Sequence, residues 1–167
     1  MPLAKSTPPM AEAGIPHPVR ELIQVFGLVQ RIMEPYFAQF GISGSQWGVL
    51  RNLYRAERAD VASLRVKELS SRLLIRPPSV TGVIDRLERA GLVVRDGSPT
   101  DLRAKQVALT DQGRHLVERV LAVHQKQIDA VLGGLSAAEQ AEFHRLLVQM
   151  ERHLEGLLVR GPVADLA

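Results

Sequence analysis

The order of secondary-structure signals between residues 66 and 109 restricts the fold of this chain more than any other feature. Apolar residues at 66, 69 and 73 have the spacing of a two-turn helix, and a tight connection follows at 74–78. Pro78 suits the first turn of a second helix, which the sequence predicts over 78–90. Its apolar residues recur at i, i+3, i+4 and i+7 and form one buried face: Val80, Val83, Ile84 and Leu87.

Two segments rich in β-branched residues, 92–95 and 105–109, follow this second helix after Gly91. They flank 96–104, where Asp, Gly, Ser and Pro are typical of a turn. The sequence therefore predicts a β-hairpin with a long polar tip. Two short helices joined by a tight turn and followed by a hairpin have the order of a winged helix-turn-helix.

The segment 19–40 predicts a long, widely apolar helix on the amino-terminal side of this unit. Apolar residues recur along it with helical spacing, and further ones widen the stripe, which indicates burial on more than one side. Pro35 removes a backbone donor and predicts a kink or a restart near 31–34, and Gly41 ends the helix. The proline-rich, polar residues 1–16 predict a flexible arm.

Capping patterns mark the start of three further helices. Residues 43–46 form a capping box for a helix that ends near Glu57. Thr110 caps a helix that reaches about residue 132, and 136–139 form the capping box of the last helix. The first of these helices directs three side chains to the core: Trp47, Leu50 and Leu53. The last carries a longer apolar stripe: Phe143, Leu146, Leu147, Met150, Leu154, Leu157 and Leu158.

The composition excludes several kinds of function. The chain has no cysteine, which rules out disulfides, thiolate nucleophiles, cysteine-ligated zinc and thiol-based redox sensing. It contains no GxSxG, P-loop or GxGxxG motif, so we expect neither an enzyme nor a bound cofactor. The amino terminus has no apolar run and no segment is apolar enough to span a membrane, which favours a cytoplasmic protein without a membrane partner.

The distribution of charge is more informative than its total of +3. Residues 65–114 carry a net charge of +4, and the rest of the chain carries −1. A surface that faces phosphates is the simplest interpretation of this concentration. For any single arginine the alternative is a solvated helix face, since Arg86 and Arg89 lie beside Asp85 and Glu88.

The outward face of the helix predicted over 78–90 has the residue types that a major-groove helix requires. At 100° per residue its centre line, opposite the buried face, holds four residues: Pro78, Gly82, Asp85 and Arg89. Ser79 and Arg86 flank this line on one side and Thr81 on the other. Short donors near the start and a basic residue further along can read base edges. Gly82 allows close backbone approach, at a cost in helix propensity of roughly 1 kcal/mol.

A nearly continuous run of motifs now resembles a known family. The segments are QWGVL at 46–50, VKELSSRL at 66–73, SVTGVIDRLERAGLVVRD at 79–96 and PTDLRAKQVALTDQG at 99–113. Together they are similar to the signature of MarR-type transcriptional regulators, and the likeness extends over most of 17–159. One departure is Gly82, where many members carry a long polar or basic side chain.

This resemblance implies a mainly α fold with a small β-hairpin wing. It divides the chain into the arm at 1–16, a helical dimerisation region at 17–42 and 111–160, and a winged helix-turn-helix DNA-binding region at 43–110. The first, fifth and sixth helices would interlock in a homodimer. We therefore expect a sequence-specific DNA-binding regulator, a repressor, that acts on a pseudopalindromic operator.

The resemblance also assigns roles on DNA. The helix from Pro78 would read the major groove of each half-site, while Arg103 at the wing tip enters a narrow minor groove and Asp101 orients it. A salt bridge that stabilises the hairpin is the alternative role of Asp101 and Arg103. The expected DNA-contacting residues are Arg76, Ser79, Thr81, Gly82, Arg86, Arg95, Asp101, Arg103 and Lys105.

An effector cleft is expected between the dimer helices and the DNA-binding lobe, where such regulators bind their ligands. Binding of a small organic effector would favour a lobe spacing that no longer matches successive major grooves, and DNA would be released. The candidate residues are Tyr36, Phe37, Phe40 and Trp47, with Arg31 or Arg51 able to pair with an anionic aromatic ligand. For each aromatic residue the alternative is a packing role in the core.

Two alternatives within the same fold stay open at this point. His115 and His124 are nine residues apart, as are His144 and His153, so the members of each pair point to opposite sides of one helix. Solvated or packed histidines are the better interpretation, and a metal-responsive regulator would need histidine and carboxylate ligands from different helices. A non-specific architectural DNA-binding protein is the other alternative.

Overall fold

The computed structural model describes residues 17–96 and 106–160, and every structural statement refers to these residues. The elements run in the order α1 (Pro18–Ala38), α2 (Gly44–Glu57), β1 (Leu64–Arg65), α3 (Val66–Leu73), α4 (Pro77–Arg89), β2 (Val93–Asp96), β3 (Gln106–Leu109), α5 (Asp111–Leu132) and α6 (Ala137–Arg160). The mainly helical fold with a small β wing, and the helix-turn-helix formed by α3 and α4, are confirmed.

The wing is a three-stranded antiparallel sheet with the strand order β1-β3-β2. The predicted hairpin is present, because β2 pairs with β3 from Val93 opposite Leu109 to Asp96 opposite Gln106. The sequence analysis missed β1, whose Leu64 lies opposite Val107. A strand of two residues is too short to show the alternation of apolar and polar side chains that predicts a β-strand. The segment becomes a strand only because the fold brings β3 beside it.

Helix α1 passes through Pro35 as one helix, so the predicted restart near 31–34 is wrong. Tertiary packing explains this result, since Tyr36 and Phe37 are buried directly after the proline. The Tyr36 hydroxyl donates to the carbonyl oxygen of Val120 in α5 at 3.1 Å, which holds the last turns of α1 in place. The chain then turns at Gly41, whose φ of +73° favours glycine.

The core lies in the lobe formed by α2, α3, α4 and the wing, and it continues into the end of α1 and the first half of α5. All seven predicted core residues of α2 and α4 are buried, and they pack with Leu64, Leu69 and Val107. The capping box of α2 is present, since Ser43 Oγ accepts from the Gln46 amide at 3.3 Å and the Gln46 side chain accepts from the Ser43 amide. Thr110 caps α5 by accepting from the Gly113 amide at 3.0 Å.

Large apolar side chains on the outer helices are exposed in the single protomer. In α1 they include Ile23, which is 65% exposed, and Phe26, which is 60% exposed. In α6 the stripe of leucines is likewise partly uncovered, with Leu158 78% exposed. These faces differ from the closed core of the lobe and lie on the helices at the two ends of the chain. No described helix has the length and apolar character needed to cross a membrane.

Candidate DNA-binding surface and adjoining cleft

The turn between α3 and α4 is held by hydrogen bonds to the end of α3. The Ser70 hydroxyl donates to the carbonyl oxygen of Ile75 at 2.5 Å, and the Ile75 amide donates back to the Ser70 carbonyl. Leu74 adopts a left-handed conformation with φ +54°, which is uncommon for a residue with a β-carbon. Helix α4 then begins with Pro77 and Pro78, at positions that need no amide donor. The turn therefore fixes the direction of α4.

The outward face of α4 presents several of the predicted DNA-contacting side chains to solvent. Arg76, Ser79, Thr81 and Arg86 are exposed, whereas the opposite face of the helix is buried. The Thr81 hydroxyl donates to the Pro77 carbonyl at 3.0 Å and keeps its lone pairs as acceptors. Among the described residues neither Arg76 nor Arg86 takes part in an ion pair, so both guanidinium groups are available to a ligand.

Arg95 has a different environment from the other predicted contacts. Its guanidinium lies between α4 carboxylates, with Nη2 bonded to Asp85 and Nη1 at 2.5 Å from Glu88 Oε2. Burial alone would lower the pKa of Arg95, but the hydrogen bonds and negative charges of Asp85 and Glu88 outweigh it and raise the pKa. The pair of contacts fastens strand β2 to α4. Asp101, Arg103 and Lys105 lie outside the described residues.

A cleft of about 700 Å³ lies between α1, the start of α2 and α5. Of the predicted effector residues, Arg31, Phe37 and Trp47 line it. The remaining wall includes polar groups that the sequence analysis did not select: Gln30, Glu34, Ser43, Ser45 and His124. Glu34 also accepts from the Gly44 amide at 3.2 Å, which links α1 to the start of α2. The cleft is therefore lined by both apolar and polar side chains.

Other predicted effector residues lie behind or beside this cleft. Tyr36 is 8% exposed and its hydroxyl is engaged in the core, as the packing alternative anticipated. Phe40 lines a second, smaller cavity of about 540 Å³ with His115 and Arg119. Arg51 does not line the cleft, but its positive charge helps to lower the pKa of His124. The structure thus brings together three of the six predicted residues and places the other three elsewhere.

His124 completes an aromatic cluster at the inner wall. Its ring centroid is 5.3 Å from that of Trp47 and 5.8 Å from that of Tyr36, and Phe37 stacks on Trp47 at 5.6 Å. Burial, and then the charge of Arg51, lower the pKa of His124, which keeps the imidazole neutral near pH 7. Its Nδ1 is buried without a hydrogen-bond partner among the described residues. Helical spacing from Val117 and Val120 places His124 on the apolar side of α5, a signal that could have identified it.

Within residues 17–96 and 106–160, no three histidine or carboxylate side chains are grouped closely enough to hold a metal ion. His115 lies at the second cavity, and His124 lies at the first. The arrangement agrees with the opposite orientation that their spacing predicted.

Sequence comparison identifies the family. Residues 40–104 match the MarR family. The HTH-type transcriptional regulator YkoM of Bacillus subtilis is 33% identical over 122 residues, which cover 73% of this chain and 76% of the relative. This chain belongs to the MarR family of HTH-type transcriptional regulators. The regulator PecS of Dickeya dadantii is 29% identical to this MarR-family chain over 80% of its length and 79% of PecS.

Solved structures agree with this assignment. A MarR variant from E. coli in complex with operator DNA has a TM-score of 0.70 and 28% identity, covering 80% of this chain and 93% of that one. BpsR of Bordetella bronchiseptica, whose DNA binding is regulated by 6-hydroxynicotinic acid, has a TM-score of 0.72 and 26% identity over 81% and 99% of the two chains. The protein is therefore a MarR-type DNA-binding transcriptional regulator, and its family is one of regulators rather than enzymes.

Proposed function

We propose that this MarR-family protein is a repressor that binds a pseudopalindromic operator as a homodimer, with α4 of each protomer in a major groove. The observation that carries the proposal is the set of exposed donors on α4, above all the guanidinium of Arg86, which forms no ion pair with the residues that the structure describes. The likeness to a MarR variant solved in complex with operator DNA supports operator binding by the same fold. The segment 97–105 would then enter the flanking minor groove through Arg103.

Homodimer formation is supported by the apolar faces of the outer helices. Ile23 and Phe26 in α1 and Leu158 in α6 are uncovered in one protomer, and burying such a surface against a second copy is favourable. Two half-sites one helical turn of DNA apart would match the two-fold symmetry of such a dimer. Selection of bound sequences from a random duplex pool should therefore yield a pseudopalindrome. Binding without sequence preference would contradict the proposal and indicate an architectural role.

Substitution of two arginines separates base reading from phosphate and groove binding. Arg86→Ala is expected to weaken operator binding by about 1–3 kcal/mol and to relax base preference, because this exposed side chain reaches base edges. Arg103→Ala should weaken binding to every sequence and reduce the salt dependence by about one unit. Fluorescence anisotropy at several salt concentrations measures both effects. Arg145→Ala in α6 is the control, and unchanged affinity of Arg103→Ala at moderate salt would show that the wing assignment is wrong.

We also propose that a small anionic aromatic effector binds in the cleft between α1, α2 and α5 and releases the operator. The stacked rings of Phe37 and Trp47 provide a planar wall, and Arg31 at the same cleft provides a positive charge. Because the cleft joins a helix of the dimerisation region to the lobe, a ligand there can favour one lobe spacing over another. DNA affinity would then fall without unfolding.

Trp47, the single tryptophan of the chain, gives a direct assay for this cleft. With benzoate and 6-hydroxynicotinic acid as probes, we expect quenching of its fluorescence on binding. Arg31→Ala should weaken that binding about tenfold, the loss expected for about 1.4 kcal/mol of charge-assisted hydrogen bonding. Arg58→Ala, on an exposed residue that does not line the cleft, is the matched control. If Arg31→Ala and Arg58→Ala bound the probes with equal affinity, Arg31 would not be part of the ligand site.

A further inference from the structure

Gly82 stands at the centre of the outward face of α4 in open space. A β-carbon built on it meets no atom within 4 Å, so the packing of the described residues does not require a glycine there. Glycine inside a helix is nevertheless less favourable than alanine, because it loses more backbone entropy on folding. Gly113 in α5 provides the contrast, since its β-carbon would collide with the backbone of Leu92. Nothing among residues 17–96 and 106–160 therefore accounts for a glycine at position 82.

Within the first two turns of α4, the residues on the same line as Gly82 supply no side-chain donor for a base edge. Pro78 has no amide hydrogen and no polar side-chain atom. Asp85 is occupied by the guanidinium of Arg95, and Arg89 bends back so that its Nε donates to the Asp85 carbonyl at 3.2 Å. The first two turns of the centre line therefore hold no side-chain donor that could reach the floor of a major groove. Ser79 and Arg86 carry side-chain donors on one flank of the line.

The flanking side chains lie on opposite sides of this gap. Ser79 and Arg86 share one flank, two helical turns apart, and both are exposed. Thr81 lies on the other flank, where its hydroxyl donates to its own helix and can only accept from a base. A base pair beneath Gly82 would thus lie between two base pairs that flanking side chains can contact. No side chain at position 82 would contact the base pair itself.

We propose that Gly82 determines operator specificity by leaving the central base pair of each half-site unread, while residues on both flanks select the base pairs around it. The proposal rests on the proposed function, in which α4 lies in the major groove. Without a side chain at its centre, the helix can approach the groove floor closely. The recognised sequence should therefore tolerate all four base pairs at one position between two specified ones.

Selection from a random duplex pool with the full-length protein and its variants tests this assignment. For the wild type we expect a half-site with one unspecified base pair. Gly82→Arg should add a preference for G·C at that position, and Gly82→Gln a preference for A·T, because these side chains bond bidentately to guanine and adenine. Gly82→Ala should raise Tm by about 2–4 °C, which shows that substitution at 82 leaves the lobe folded.

Ser71→Arg on the exposed side of α3 controls for added charge. It should raise affinity for all duplexes and leave the selected pattern unchanged. A wild-type half-site specified at every position, or a Gly82→Arg pattern identical to the wild-type one, would overturn the assignment of Gly82. A wild type that selects no pattern at all would instead contradict the proposed function, so the two failures are distinguishable.

Discussion

The double variant Ile23→Glu, Phe26→Glu is expected to be monomeric in solution and to bind a two-half-site operator at least ~100-fold more weakly than the wild type. Both side chains are exposed on α1, three residues apart and hence on one face. Charges on that face oppose burial against a second copy. A monomer loses the second half-site, and joined binding sites commonly gain a factor of about 10² to 10⁴ over single ones.

Sedimentation and operator binding should be measured on the same preparation at micromolar concentration. Val61→Glu is the matched control, because Val61 is 43% exposed and lies between α2 and β1, away from the apolar outer helices. The control should stay dimeric and keep its operator affinity. A double variant that is monomeric yet binds like the wild type would show that one lobe suffices, and a dimeric double variant would place the interface elsewhere.

Gly113→Ala is expected to lower the free energy of unfolding by about 3 kcal/mol or more, at the upper end of overpacking effects. A β-carbon at Gly113 would lie 2.0 Å from the carbonyl oxygen and 3.0 Å from the carbonyl carbon of Leu92. Both are backbone atoms that no rotamer change can move. Thr110 also holds the start of α5 against the residues between α4 and β2. Its amide donates to the Leu92 carbonyl, and its hydroxyl donates to the Gly91 carbonyl at 2.7 Å.

The added methyl group would therefore separate the start of α5 from the corner between α4 and β2. Urea unfolding followed by circular dichroism measures the loss of stability. Gly82→Ala is the internal control, because it changes a helical glycine that has open space, and its stability should rise by about 1 kcal/mol. If Gly113→Ala and Gly82→Ala unfold at the same urea concentration, the close contact with Leu92 does not limit the fold.

Much of the DNA-binding lobe could be predicted from local patterns. The four apolar residues of α4 are all buried, and the capping boxes at 43–46 and 136–139 are formed as expected. Each of these features depends on side chains within about two helical turns of one another, which the sequence shows directly. The packing of the end of α1, after Pro35, involves instead Val120 in α5, a residue far along the chain that accepts from the Tyr36 hydroxyl.

The residues of the candidate cleft were predicted less completely, because they too come from segments that are far apart in the chain. Aromatic residue types near the junction of α1 and α2 pointed to the region, but Tyr36 packs inward and Phe40 faces another cavity. His124 reaches the cleft from α5, and Glu34 reaches it as the acceptor for the start of α2. Residue type identified candidates here, whereas the direction of each side chain depended on how three helices meet.

By itself the sequence determined the helices, the wing, the basic lobe and the membership of a family of DNA-binding regulators, since periodicity, capping and motif spacing are properties of neighbouring residues. Only the tertiary structure decided that Arg95 fastens the wing to α4, that β1 completes the sheet and that Gly82 has open space around it. Each of these depends on contacts between distant segments, whose geometry arises when the core closes and brings them together.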